Sequence, residues 1–214
     1  MKKNILATCG LLFCTTLLHA QTTQEVRIDF ENQDYKSVGV YDSWQKSPFR
    51  SQNKQAPVLK GNVQVVSNID KNHDEILKSI PNNSENVLGF QRSRFGSNTF
   101  GARIDLKQPF PLTKETKYVH VMIHKPKAGR TMLIGLGKRT DRAGQSAETE
   151  QFWELSTREV EPNKWVDAVF PVKGAGGIEI HSLVVVVDCE DTNGMTDDFL
   201  AYIDNIEVNN EAFT

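Results

Sequence analysis

Lys117-Tyr118-Val119-His120-Val121-Met122-Ile123-His124 decides the fold class, because its apolar residues recur every second position. Val119, Val121 and Ile123 fall on one face of an extended chain, and Tyr118, His120, Met122 and His124 on the other. A helix would scatter both sets around its circumference. Val26-Arg27-Ile28-Asp29-Phe30 repeats the pattern, and Thr131 to Leu136 and Trp165 to Phe170 are strand-like in the same way. Ile178 to Val187 ends in four consecutive valines, as expected of a central strand buried on both faces. Further strands are predicted over Val63–Val66, Val87–Gln91, Thr99–Leu106, Gln151–Leu155 and Leu200–Val208.

Turn residues punctuate these runs: Asn82-Asn83-Ser84, Lys107-Gln108-Pro109, Pro126 to Gly129, Pro162-Asn163 and Gly174 to Gly177. The connection from Lys107 to Thr113 is predicted to be tight, and Pro48–Lys60 a long surface loop. One short helix is expected around Asp74–Ser79. Some ten strands at short spacing, without intervening helices, predict an all-β fold: a two-sheet antiparallel β-sandwich of jelly-roll type.

The N-terminus has the pattern of an export signal. Lys2 and Lys3 precede an apolar stretch from Ile5 to Leu18, and Ala20 is the small residue before the expected cut. Residues 1–20 are therefore assigned as a signal peptide and 21–214 as a single domain. That places the protein outside the cytoplasm: periplasmic, outer-membrane-associated or extracellular. Cys14 follows the bulky Phe13 and Cys9 comes early in the apolar stretch, and both features argue against lipidation. Cleavage would leave Cys189 as the one thiol, excluding an intramolecular disulfide; its valine-rich neighbourhood predicts burial. The formal net charge is −2 and no basic tract stands out, so nucleic acid is not an expected partner. The mature chain has no apolar segment long enough to span a membrane.

Ile28-Asp29-Phe30-Glu31 at the start, with Tyr41 and Trp44 about ten residues on, and Ala201-Tyr202-Ile203-Asp204-Asn205-Ile206-Glu207-Val208 at the end resemble the first and last strands of galactose-binding-like jelly rolls. That family includes many carbohydrate-binding modules of exported Bacteroidetes proteins. The resemblance implies that the first and last strands are neighbours. It also implies a structural Ca2+ near their junction, with Glu31 and Asp204 as its ligands. By strand parity Asp204 shares a face with Tyr202, Ile206 and Val208. A carboxylate among apolar groups needs a metal, a pairing partner or backbone donors, so calcium, a turn cap and plain solvent exposure all stay open for it.

Other polar clusters lack the spacing of known sites. Asp70 to Asp74 begins like a calcium loop, but Glu75 stands where that loop needs glycine and Pro81 where it needs an acid. The acidic run from Asp188 to Asp198 reads as a solvated loop. His120 and His124 lie about 13 Å apart on one strand face, too far to share a metal, and are expected on the solvent-facing or concave side of a sheet. Glu150 and Glu154, taken to share a face at a similar separation, are too far apart for the paired carboxylates of glycoside hydrolysis.

Aromatic rings stack on the C–H faces of sugars while polar side chains bind the hydroxyls. Trp153 follows Phe152, so in a regular strand one of the two rings leaves the core. The candidate ligand-binding residues are Tyr41, Trp44 and Trp153 for stacking, with Asp42, Arg92 and Arg94 for hydrogen bonding. The expected function is non-catalytic glycan binding, with an oligo- or polysaccharide as partner. Two alternatives stand beside it: a structural or protein-contact domain of the cell envelope, and a glycoside hydrolase or polysaccharide lyase.

Overall fold

The computed structural model describes residues 24–44, 62–69, 82–144, 147–189 and 195–213. The predicted export signal, the Pro48–Lys60 loop, the helix at Asp74–Ser79 and residues 190–194 of the acidic run lie outside these residues. Within them the chain forms eleven strands: β1 (Val26–Ile28), β2 (Tyr35–Tyr41), β3 (Val63–Ser67), β4 (Asn86–Arg92), β5 (Gly101–Leu112), β6 (Lys117–His124), β7 (Met132–Arg139), β8 (Thr149–Leu155), β9 (Val166–Val172), β10 (Ile178–Val186) and β11 (Phe199–Asn209).

They build two antiparallel sheets, a β-sandwich of jelly-roll type. One sheet runs β3-β4-β11-β6-β9, with β1 added to β11, and the other runs β2-β5-β10-β7-β8. The first and last strands are neighbours, Val26 pairing with Val208 and Ile28 with Ile206. Along one side β11 pairs first with β4 and then with β1, while β6 holds its other side. The four valines behave as the sequence demands of a buried central strand: Val185 and Val187 enter the main core, while Val184 packs on the outer face of β10. Val186 joins it there.

The core lies between the sheets and includes Ile28, Phe90, Ile104, Val121, Leu133, Phe170, Leu183 and Ile203. Phe30 lies past the end of β1 at a φ of 58°. Its ring nevertheless stays in the core, 5.4 Å from that of Tyr35. No helix among the described residues is long and apolar enough to cross a membrane.

Three features depart from the sequence expectation. β5 runs on through Lys107-Gln108-Pro109 to Leu112 instead of ending in a tight connection. Asp105 pairs with Ser182 and Phe110 with Ile180, so residues 106–109 bulge opposite His181. Lys107, Gln108 and Pro109 are exposed in that bulge. Pro109, with no N–H to give to a ladder, is tolerated where the ladder is already interrupted. β2 was not anticipated; Lys36, Ser37 and Gly39 dilute its apolar signal, and it forms because β5 supplies its pairing partner. His120 and His124 are buried rather than solvent-facing.

Gly135 on β7 faces the core directly beneath the Phe152 ring, and a Cβ there would overlap that ring. Gly135→Ala is expected to lower the unfolding free energy by roughly 1–3 kcal/mol through overpacking. Denaturant titration would show it as a lower midpoint at unchanged slope.

Candidate functional site

The outer face of the β2-β5-β10-β7-β8 sheet carries both aromatic and charged side chains. Its floor is apolar: Met132, Ile134 and Leu136 from β7 with Val184 and Val186 from β10. Tyr41 packs against this cluster from the end of β2. β2 and β8 are opposite edges of the sheet, and four strand spacings would hold flat edges about 19 Å apart. Yet Tyr41 Oη donates to Glu150 Oε1 at 2.5 Å. The sheet therefore curves toward this face, and the two rims meet above the floor.

Glu150 is the hub of that meeting. Ser43 Oγ also donates to its Oε1, at 2.5 Å, and Trp153 Nε1 donates to Oε2 at 3.0 Å. A register shift in β8 makes this geometry available. Phe152 pairs with Gly135 but Glu150 with Leu136, leaving Gln151 as an extra residue. Beyond the bulge Glu150 joins Trp153 on the outer face, while Phe152 turns into the core. Glu154, paired with Leu133, belongs to the inner set. Glu150 and Glu154 thus do not share a face, contrary to uninterrupted strand parity.

Beside the hub lies a second cluster that sequence reading passed over. Arg103 on β5 donates from Nε to Asp105 Oδ1 at 2.6 Å and from Nη2 to Glu148 Oε2 at 2.7 Å. Ser182 Oγ sits 3.1 Å from Arg103 Nη2, 2.8 Å from Asp105 Oδ1 and 2.9 Å from Glu148 Oε1. Ser37 also donates to Asp105. Burial works against both charges, but their mutual hydrogen bonds outweigh it. The pKa of Arg103 is raised by Asp105 and Glu148, and that of Asp105 is lowered by Ser37, Arg103 and Ser182. Asp105 is thereby held ionised, the opposite of what a general acid requires. Burial, followed by the bond to Glu150, pushes the Tyr41 phenol up to about 12, so its proton stays in place.

The structure brings together part of the predicted ligand set. Tyr41 and Trp153 meet at Glu150, and Trp44 adjoins Ser43 at the same rim. Trp153 is 44% exposed and Trp44 60% exposed. Asp42 and Arg92 are fully buried, so neither side chain reaches a surface ligand. Asp42 instead accepts from the Ser97 hydroxyl at 2.5 Å and from the Trp44 N–H at 3.0 Å, fixing the turn that bears Ser43 and Trp44. Arg92 donates to the carbonyls of Ser93, Ser97 and Asp188. Burial pulls its pKa down to about 10, which leaves it charged. Arg94 binds Thr196 O at 2.7 Å and lies over Phe95, away from the Glu150 hub.

Glu31 and Asp204 both reach the turn before β4. Glu31 accepts from the N–H groups of Glu85 and Asn86 and from Asn86 Nδ2, which lowers its pKa. Asp204 Oδ2 accepts from Asn82 Nδ2 at 2.9 Å, whereas Oδ1 is buried and takes no hydrogen bond. The predicted parity fails here. Asp204 pairs with Met122 and Glu207 with His120, so the chain bulges at Asn205, where φ is 42°. Ile206 and Val208 therefore join Ile203 in the core, while Asp204 sits with Met122 on the outer face. Its orphan oxygen suits a hard cation. The Glu31 oxygens are already occupied, and no cluster of three metal-ligating acidic, His or Cys residues forms among the described residues.

Two further clusters and a cleft complete the picture. His120 links Asp167 Oδ2 to Glu211 O, at 2.8 Å each, and these bonds raise its pKa despite burial. Cys189 is half-buried, with Sγ 3.7 Å from Arg130 O. A cleft of about 240 Å³ between β1 and the β5 bulge is lined by Glu25, Arg27, Asp34 and Lys107 among others, with no aromatic ring.

The sequence matches no protein-family model, and no curated protein matches it. Solved structures share its fold. The endo-1,4-beta-D-xylanase 10B of Clostridium thermocellum, solved as its CBM22-1 and GH10 modules complexed with xylohexaose, is 12% identical with a TM-score of 0.50. That match covers 89% of this chain and 29% of the xylanase chain. A xylan-binding domain of xylanase 10C from Paenibacillus barcinonensis is 10% identical over 86% of this chain and 97% of its own, with a TM-score of 0.49. A cleaved adhesin domain of Lys-gingipain from Porphyromonas gingivalis is 12% identical over 87% and 99%, with a TM-score of 0.43. The xylanase likeness concerns the fold alone, a two-sheet β-sandwich of the kind seen in its carbohydrate-binding module.

Burial raises the Asp204 pKa from 3.8 to about 6, with Ser84, Asn82 and Asn205 pulling the other way. The folded protein binds this proton more tightly than the unfolded chain does. The resulting stabilisation is complete below about pH 3.8 and is lost as pH rises through about 6. Asp204→Asn should remove a pH-dependent difference of order 2 kcal/mol between pH ~3.8 and ~7. Denaturant midpoints of both proteins at those pH values would show it.

Proposed function

We propose that this chain is an exported, non-catalytic glycan-binding β-sandwich whose site is the rim of the curved β2-β5-β10-β7-β8 sheet. The observation that carries this reading is the convergence of Tyr41, Ser43 and Trp153 on Glu150, with Trp44 beside it. Trp153 and Trp44 offer ring faces to sugar C–H groups. Glu150 fixes the Trp153 indole through Nε1, so the platform is set before a ligand arrives and less ordering entropy is lost on binding. The neighbouring Arg103 and Glu148 supply hydroxyl-binding groups. A sandwich of this fold is the carbohydrate-binding module of a xylanase whose binding and GH10 modules were solved together with xylohexaose, which supports a polysaccharide partner.

Hydrolysis finds less support. Asp105 and Glu148 lie close together across Ser182, but both bind Arg103, and the lowered pKa of Asp105 keeps it from serving as an acid.

Trp153→Ala is expected to weaken glycan binding at least tenfold, and the Trp44→Ala, Trp153→Ala double variant to abolish it, with Tm nearly unchanged because both rings are exposed. A glycan array followed by calorimetry on the hits measures this. Glycan binding unaffected by the double variant would refute the site.

We also propose that Asp204 contributes to a structural calcium site, on the strength of its buried, unbonded Oδ1. Added calcium at neutral pH should then raise the Tm of the native protein and leave that of Asp204→Asn unmoved. An equal response in both proteins would count against it.

A further inference from the structure

We propose that the rim selects uncharged glycans over uronate-bearing ones, with Arg103 as the specificity-determining donor. This inference rests on the glycan-binding reading of the same site.

A guanidinium clamps a carboxylate through two parallel N–H groups, along either its Nε/Nη2 edge or its Nη1/Nη2 edge. Both edges of Arg103 are compromised by the protein itself. Nε is taken by Asp105, and Nη2 by Glu148 and Ser182. Nη1 alone has no acceptor among the described residues, and the side chain is 30% exposed. A lone nitrogen held at a fixed angle suits a hydroxyl or ring oxygen but cannot provide the two-pronged grip that favours a carboxylate.

The charge balance points the same way. Among the described residues hydrogen-bonded into this cluster Arg103 is the one cation, set against the carboxylates of Asp105, Glu148 and Glu150. Asp105 is held ionised by its three donors. These four linked groups sum to two negative charges, so a uronate seated against Trp153 meets a repulsion from them that water at the rim only partly screens. A neutral sugar meets no such barrier, and the carboxylate oxygens at the rim accept its hydroxyl protons.

The test is calorimetric titration of the full protein with xylohexaose, cellohexaose and mannohexaose, and with oligogalacturonate of matching length, at low and high salt. At least one uncharged ligand is expected to bind at least tenfold tighter than oligogalacturonate, with the gap narrowing as salt rises. Glu148→Gln should strengthen oligogalacturonate binding about three- to tenfold by removing one repelling charge. Arg103→Lys should weaken the uncharged ligand about fivefold or more. Oligogalacturonate binding as tightly as the uncharged ligands, with Trp153→Ala abolishing both, would overturn the selectivity while leaving the glycan site standing. A gap indifferent to salt and to Glu148→Gln would also overturn it. Binding of none of these ligands would sink this inference together with the glycan reading on which it rests.

Discussion

Side chains on a β-strand alternate faces with a strict period of two, and a single extra residue reverses every assignment beyond it. Two such extra residues organise this molecule. At Gln151 the shift lets Glu150 join Trp153 on the outer face while Phe152 stays inside. At Asn205 it turns Asp204 outward while Ile203, Ile206 and Val208 all remain in the core. Neither bulge weakens the sandwich, because the apolar side chains on both sides of it still reach the core.

The curvature of the β2-β5-β10-β7-β8 sheet converts those local shifts into a site. β10 contributes valines to both faces, so apolar area is covered on the outer side of the sheet as well as between the sheets. Tyr41 and the turn fixed by Asp42 lean over that outer cluster from one edge, and Glu150 meets them from the other. Buried polar groups then lock the rim. Asp42 and Arg92 are both committed to the 93–99 turn, where each satisfies donors or acceptors that burial would otherwise strand. They shape the site from beneath without touching its surface.

Much of the architecture was legible in the residues. The alternation at 117–124 and the four valines at 184–187 mark strands because their signal is local and strong. The pairing of the first and last strands followed from resemblance and agrees with the register of Val26 with Val208. The Phe152–Trp153 dipeptide announced that one ring must face outward, and it is Trp153. Reading failed where a signal was diluted or the period broke. β2 was missed because Val38 and Val40 alone mark its core face among Lys36, Ser37 and Gly39, and β5 was ended at Leu106 ahead of Pro109, although a bulge accommodates that proline. Arg103 was passed over because an arginine in an alternating strand looks like any solvated residue.

By itself, then, the sequence determined the fold class, the buried strands and the kinds of side chain available for a site, since each depends on residues adjacent along the chain. The tertiary structure decided which of them meet. Tyr41 and Glu150 are 109 residues apart, and Arg103 and Ser182 are 79 apart. Their contacts depend on strand order, on curvature and on a one-residue register shift. Those properties arise only when many strands pack together, and no local pattern of residues encodes them.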